Sequence, residues 1–381
     1  MARALICILV TFVAVKCVVA PGRASVYEEY AQAGLDFWSG EPVSFVARQY
    51  LPYFSLAMSP LALLPDWLGQ LTWALASLAV YLSGLHAFFR ACVLPSLPGA
   101  DEGRAWLAFL ACGLGVGLSS LSNQQANTLI IGLLLWGSAF ARGGMLWPAA
   151  ACLVLPMFKA YPLALGMTLA VFRPHLAWRL GLLAAALLAL PFLALPPAAA
   201  AERYQWIADY MSEGAHSLRF HLVGAREWLE QQGVSLSPGE FLPIQAAVGA
   251  LIPLVLWLGG EGEAARERRA FVLVSLWFVT FGPSVEGPTY LLAAPALGWL
   301  LLRSWHRGAW TAFGFTLGLI LICGPAQTSL FGLDAQRWMA QRRPACLALL
   351  LAFGWQLGSA ATVAVRCLAP QPPLAPEARA A

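Results

Sequence analysis

Residues 104–142 read RAWLAFLACGLGVGLSSLSNQQANTLIIGLLLWGSAFAR, and the 37 residues between the two arginines carry no charge. A helix needs about 20 apolar residues to cross the hydrocarbon core of a membrane, so this gap holds two crossings. They join at the polar run Ser122-Asn123-Gln124-Gln125-Ala126-Asn127, the apex of a hairpin. The rest of the chain has the same character. Of its 381 residues 60% are hydrophobic and 11% are Asp, Glu, Lys or Arg, against roughly 25% charged in soluble domains. This composition gives an all-α, polytopic integral membrane protein and excludes a disordered chain, a coiled coil, a collagen and a secreted disulfide scaffold. The net charge of +4 is spread along the chain without a basic block, so no nucleic-acid partner is expected. Eight cysteines form no C-x-x-C pair and five histidines show no ligand spacing. No metal site or other cofactor is therefore assigned, and dependence on a divalent metal stays open.

Two more gaps repeat the pattern with a variation. Between Arg142 and Arg173 the single charge in 30 residues is Lys159, and between Arg269 and Arg303 the single charge in 33 residues is Glu286. Such gaps are too long for one crossing and short for two, so each predicts a hairpin of short or tilted helices with its charge near the turn. Helix breakers stand at those turns: Pro156 and Pro162 around Lys159, Gly282-Pro283 and Gly287-Pro288 around Glu286. Broken backbone is tolerated at membrane depth only inside protein or beside a water-filled cavity.

Positive charge favours the cytoplasmic side. With Arg104, Arg142, Arg173, Arg179, Arg266, Arg268, Arg269, Arg303 and Arg307 placed there, all three apices point away from the cytoplasm. So do a first external loop, 21–50, and a large acidic external loop, 198–240. Residues 4–20 read as an uncleaved signal anchor rather than a signal peptide, because Lys16 interrupts the apolar run. Residues 51–90 look like two spans turning at Pro65-Asp66-Trp67, and the parity of the chain requires one of them to be re-entrant. The result is one integral membrane domain, 1–369, of about twelve transmembrane or re-entrant helices in the cell (inner) membrane. A disordered Pro/Ala-rich tail, 370–381, follows.

An ionisable side chain inside a span costs a few kcal/mol on insertion scales and marks a site by default. Glu28 and Glu29, between Tyr27 and Tyr30, are either solvated loop charges or a general base held against the membrane face. Lys159 either snorkels to the headgroups or binds a phosphate as a point charge. Glu286 orients a hydroxyl-bearing ligand or pairs with Lys159 or Arg48. Gln124, Gln125 and Asn127 bind a polar ligand or cap a helix start.

Several patches, in order, resemble glycosyltransferase family 87. They are Tyr30-Ala31-x-Ala33-Gly34 with Gly40, Tyr50-Leu51-Pro52, and Ser59-Pro60-Leu61-Ala62-Leu63-Leu64-Pro65. Gln125-Ala126-Asn127 is similar to the family's Gly-Gln-x-Asn motif, with Gln124 in place of glycine. Lys159-Ala160-Tyr161-Pro162 matches its Lys-x-Tyr-Pro motif, and Gly282-Pro283-Ser284 through Tyr290 resembles its late Ser-Pro-x-Ser segment. The resemblance implies a polytopic C-type glycosyltransferase fold and a polyprenyl-phosphate sugar donor, mannose-like, with transfer to a lipid or glycan acceptor. It assigns the leaving phosphate to Lys159. Tyr27, Tyr30, Tyr50, Gln125, Asn127, Tyr161, Ser284 and Glu286 would position sugar and acceptor. One departure stands out. The family's aspartate, four residues before the tyrosine matching Tyr30, is Val26 here. The expected base therefore passes to Glu28, two residues before Tyr30, or to Glu29. The competing readings are a transporter or lipid-handling protein with a path of broken helices, and an inactive relative.

Overall fold

In the computed structural model, residues 1–20, 25–39, 49–213, 224–282, 285–328, 338–339 and 341–368 are described. Among them there are helices and no strands. The helices are α1 (Ala2–Val19), α2 (Tyr27–Ser39), α3 (Pro52–Ala62), α4 (Asp66–Phe88), α5 (Glu102–Asn123), α6 (Asn127–Arg142), α7 (Leu146–Val154) and α8 (Leu163–Phe172). There follow α9 (Pro174–Ala194), α10 (Pro197–Glu213), α11 (Ala225–Gln231), α12 (Pro238–Leu258), α13 (Glu263–Phe281), α14 (Ala294–His306), α15 (Trp310–Cys323) and α16 (Pro344–Leu368). Seven of these stretches are long and apolar enough to cross a membrane: α1, α4 extended to Ser96, α5, α9, α12, α15 extended to Gln327, and α16. The tail from 370 onward lies outside the described residues.

Local sequence sets the ends. Asp101 caps α5 by accepting from the Arg104 amide at 2.8 Å, and Ser237 with Glu240 forms a capping box at the start of α12. Pro174 opens α9, where its missing N–H costs nothing. α13 is buried on every side from Ala270 to Thr280, and α14 from Ala294 to Leu302. Helices apolar all round belong in the interior, and these two form the centre of the bundle. In the α4–α6 contact two backbones approach closely. A Cβ on Gly84 would stand 2.4 Å from the Gly132 carbonyl oxygen, and one on Gly132 would stand 2.7 Å from the Tyr81 nitrogen. Small residues at such a crossing allow the van der Waals packing that holds helices together in lipid.

The Lys159 gap folds as α7 and α8 around a break. A 3₁₀ turn, Leu155–Phe158, ends at Lys159, and α8 restarts after Pro162. In the Glu286 gap α13 stops before Gly282, and the chain resumes as a 3₁₀ segment, Gly287–Ala293, that runs into α14. For residues 51–90, α3 has 11 residues, about 16 Å at 1.5 Å per residue. That is too short to cross, so α3 is the non-spanning piece and α4 carries the crossing. The two expected external loops also contain helix. Within 21–50, α2 buries Tyr27, Tyr30, Gly34 and Phe37 along one face, the i, i+3, i+7, i+10 spacing of a helix laid on a core. Within 198–240 stand α10 and α11.

Hydrogen bonds between distant segments show which ends meet. Lys16, near the end of α1, donates to the Ser122 carbonyl. The Val26 amide donates to the Asn123 carbonyl at 3.2 Å, and the Leu51 amide to the Phe158 carbonyl at 2.8 Å. Gln125 reaches Glu286 at 3.1 Å. The end of α1, the start of α2, the segment entering α3 and all three apices therefore gather at one end. At the opposite end, Arg173 bridges Glu263 at 2.7 Å and Glu267 at 2.5 Å, with Arg142 3.8 Å from Glu267. Two-sidedness of this kind is open to labelling. In a cysteine-depleted background, cysteines at the exposed positions Glu29 and Gln232 should react together with an impermeant thiol reagent applied from outside the cell. Those at Met145 and His306 should react only after permeabilisation. Labelling of Glu29 and Met145 from the same side would overturn the arrangement.

Candidate active site

Lys159, Asn127, Gln125 and Glu286 form one continuous chain of polar groups. Lys159 Nζ donates to Asn127 Oδ1 at 3.2 Å, Asn127 Nδ2 to Gln125 Oε1 at 2.8 Å, and Gln125 Nε2 to Glu286 Oε2 at 3.1 Å. The cation and the carboxylate are thus linked through two amides rather than by direct contact. Both amides are held by the 122–127 apex, where Asn127 is fully buried and Gln125 nearly so.

Aromatic residues close the chain on its α2–α3 side. Lys159 Nζ stands 5.2 Å above the centre of the Tyr50 ring. The Tyr50 and Tyr30 hydroxyls are 2.9 Å apart, and the Ala126 amide donates to the Tyr30 oxygen at 3.2 Å. Phe54 stacks on Tyr50 at 4.7 Å and meets Tyr30 edge-on at 5.2 Å. These packed rings fix α2 and α3 over the apex. Tyr161, two residues past Lys159, packs edge-on against Phe278 at 5.5 Å. Its hydroxyl is buried without a hydrogen-bond partner among the described residues. Glu286 is held by its own backbone, capping the 3₁₀ segment in a reciprocal bond with Thr289.

The structure gathers Tyr30, Tyr50, Gln125, Asn127, Lys159 and Glu286, with Tyr161 alongside. Tyr27 shares the buried face of α2 but turns away, its hydroxyl donating to the Leu61 carbonyl at 3.0 Å. Glu28 and Glu29 lie on the exposed face of α2, outside the polar chain. Ser284, Pro283 and Arg48 fall outside the described residues. Among the described residues no three His, Cys, Asp or Glu side chains stand close enough to hold a metal.

Sequence reasoning missed a second layer of amides around Gln124. Gln124 adopts a left-handed backbone, φ 56°, at the end of α5. Its side-chain oxygen accepts from Ser25 Oγ at 2.6 Å and from Gln70 Nε2 at 2.7 Å, and its Nε2 reaches Cys17 Sγ at 3.0 Å. Trp73 Nε1 takes the Gln124 carbonyl at 2.9 Å. An amide at position 70 inside an otherwise apolar helix was the available signal, by the same logic that singled out the lone charges.

The sequence model of Glycosyltransferase family 87 matches residues 49–283. The chain belongs to that family and is a membrane glycosyltransferase. The matched segment contains Tyr50, Gln125, Asn127, Lys159 and Tyr161; it begins after Tyr30 and ends before Glu286. No curated protein and no solved structure matches the chain.

The left-handed conformation gives a physical reason for glycine at the position of Gln124 in the Gly-Gln-x-Asn pattern. Here a glutamine accepts the strain and ties α1, α4 and the start of α2 to the apex. Gln124→Gly should relieve the backbone but lose the side-chain bonds, for a net loss of about 1–2 kcal/mol. Gln124→Ala loses the same bonds while keeping the strain, about 1 kcal/mol more. Thermal unfolding in detergent should rank wild type above Gly and Gly above Ala; equal melting of the two variants would contradict the strain argument.

Proposed function

We propose that the protein transfers a sugar, mannose-like, from a polyprenyl-phosphate donor to a hydroxyl of a lipid or glycan acceptor on the non-cytoplasmic face of the cell membrane. The observation that supports this reading most is the chain Lys159–Asn127–Gln125–Glu286, which puts a cation and a carboxylate at one apex with neutral amides between them. A glycosyl transfer needs that division of labour. The acceptor oxygen attacks the anomeric carbon, and the bond from that carbon to the phosphate oxygen breaks. The phosphate departs with the electron pair, and a base takes the acceptor's proton.

In this reading Lys159 stabilises the negative charge that builds on the leaving phosphate, within an apolar surround where a fixed cation is worth more than in water. Gln125 and Asn127 present amide groups to sugar hydroxyls, and the Tyr161 hydroxyl is free for one further bond. Fixing the two reactants in register supplies much of the rate. The base is Glu286, because a base must come within hydrogen-bond reach of its proton and this carboxylate belongs to the chain. Glu28 and Glu29, one turn or less from Tyr30, are the alternative, and they require the acceptor to enter over the exposed face of α2.

Isosteric amides separate the alternatives. Glu286→Gln should reduce transfer by about two to four orders of magnitude, while Glu28→Gln and Glu29→Gln should each retain most of it, measured with a defined polyprenyl-phosphate sugar and acceptor. Full activity of Glu286→Gln together with loss in either α2 variant would return the base to α2. Absence of transfer by wild type with every such donor would favour the inactive-relative reading.

Lys159 gives an independent readout. Its ammonium is the group that attracts phosphate. Lys159→Ala should weaken donor binding and lower kcat/KM for donor while the protein still inserts. Unchanged donor binding in the variant would assign Lys159 to headgroup snorkelling.

A further inference from the structure

The end of the bundle opposite the polar chain contains a second concentration of charge, and it encloses space. A cavity of about 180 Å³ is lined by Arg268, Arg269, Arg303 and Arg307, with Glu261 and Ser96. At about 30 Å³ per water, that is room for a phosphate group with its first waters. The arginines come from separated segments: Arg268 and Arg269 from the second turn of α13, Arg303 from the last turn of α14, and Arg307 from just beyond it.

Four cations face one carboxylate, Glu261, whose Oε1 pairs with Arg269 at 2.9 Å while its Oε2 is buried without a hydrogen-bond partner among the described residues. Arg268, Arg303 and Arg307 make no ion pair among the described residues, and Arg268 Nε is buried without a hydrogen-bond partner there. Arg303 is held over the Trp299 ring at 5.1 Å, and Trp299 is fixed in turn by donating to Ser96 Oγ at 3.0 Å. Clustering like charges is unfavourable unless an anion joins them, and part-burial makes water a poorer substitute. Arg173 and Arg142 differ. They share Glu263 and Glu267, a network that balances its own charge. The cavity therefore gathers positive charge that its own carboxylate does not balance.

We propose that this cavity is a binding site for a phosphate-bearing anion. Guanidinium forks from α13 and α14 match the oxygens of a phosphate in pairs. Basic pockets between membrane helices at the arginine-rich face take the headgroups of anionic lipids, and a soluble phosphate presents the same oxygens. Occupation would tie the start of α13 to the end of α14, the two central helices that lead to Glu286 at their other ends. The site is independent of the sugar-transfer reading, since it shares no residue with the apex cluster.

The test uses the purified full-length protein in detergent, with thermal unfolding and native mass spectrometry as readouts. Phosphatidylglycerol should be retained and should raise the unfolding midpoint, and phosphatidylcholine should do neither. Arg303→Gln combined with Arg307→Gln should weaken phosphatidylglycerol binding by about tenfold or more. Arg90→Gln removes one exposed charge and should leave binding unchanged. Stabilisation by millimolar inorganic phosphate, lost in the same double variant, would identify a free anion as ligand; stabilisation by the lipid alone would identify the headgroup. Equal binding by wild type and double variant, an equal loss in Arg90→Gln, or no preference for phosphatidylglycerol combined with no effect of phosphate would overturn the proposal. If the double variant is not recovered folded, Arg307→Gln alone, at an exposed position past the end of α14, makes the same comparison. Because no readout involves transfer, failure here leaves the transferase reading intact.

Discussion

A helix that stops inside a membrane protein leaves carbonyl groups that lipid cannot satisfy, and the arrangement of this bundle follows from meeting that requirement at three breaks. At the α5–α6 apex the carbonyls of Ser122, Asn123 and Gln124 accept from Lys16, the Val26 amide and Trp73 respectively. At the α7–α8 break those of Leu155 and Phe158 accept from the Tyr53 hydroxyl and the Leu51 amide. At the end of α13 the Phe281 carbonyl accepts from Gln245 on α12. Every donor comes from a distant part of the chain. The breaks are therefore also the joints at which α1, α2, α3, α4 and α12 are attached. Closing one helix end in this way fixes the position of another segment, and the three apices are drawn together.

The same joints make an apolar interior habitable for charge. Lys159 and Glu286 each stand next to a break, where backbone and amide dipoles are available without a further cost of exposing them. A direct ion pair between the two would neutralise both and leave little for a ligand. Two intervening amides keep each charge solvated by protein while leaving it unspent. The Tyr50 ring beside Lys159 contributes in the same manner, attracting the cation weakly enough that a phosphate oxygen can compete. An unpartnered buried hydroxyl at Tyr161 is the complementary sign, a polar group with unused capacity.

Much of this was legible in the sequence because lipid makes charge rare. Arg104, Arg142, Arg173, Arg269 and Arg303 delimit the three gaps, and within two of them one residue remained to be explained. Lys159 and Glu286 were found that way, and Gln125 and Asn127 by standing at the midpoint of an uncharged 37-residue run. Faces and lengths were harder. Glu28 and Glu29 adjoin Tyr30 in sequence, and the face they take was not legible there: the buried face of α2 runs through Tyr27, Tyr30 and Phe37, with positions 28 and 29 on the other side. The short α3 was disguised by apolar composition; its prolines at 52 and 60, with Pro65 just beyond its end, mark why it is not a span. The arginine cavity could not be seen at all, since Arg268 and Arg303 stand 35 positions apart and only the packing of α13 on α14 brings them together.

Family membership and the missing aspartate meet at the same joint. Val26 donates its amide to the Asn123 carbonyl at 3.2 Å, so a carboxylate at that position would begin α2 directly against the apex. Glu286 approaches the same apex from the other side, through Gln125. Proton transfer depends on reach rather than on which segment supplies the group. Glu286 is the negative charge that the amide chain joins to Lys159 among the described residues. With Glu286 as the proposed base, a valine at 26 takes no proton acceptor away from the polar chain, because the carboxylate that belongs to that chain enters from position 286.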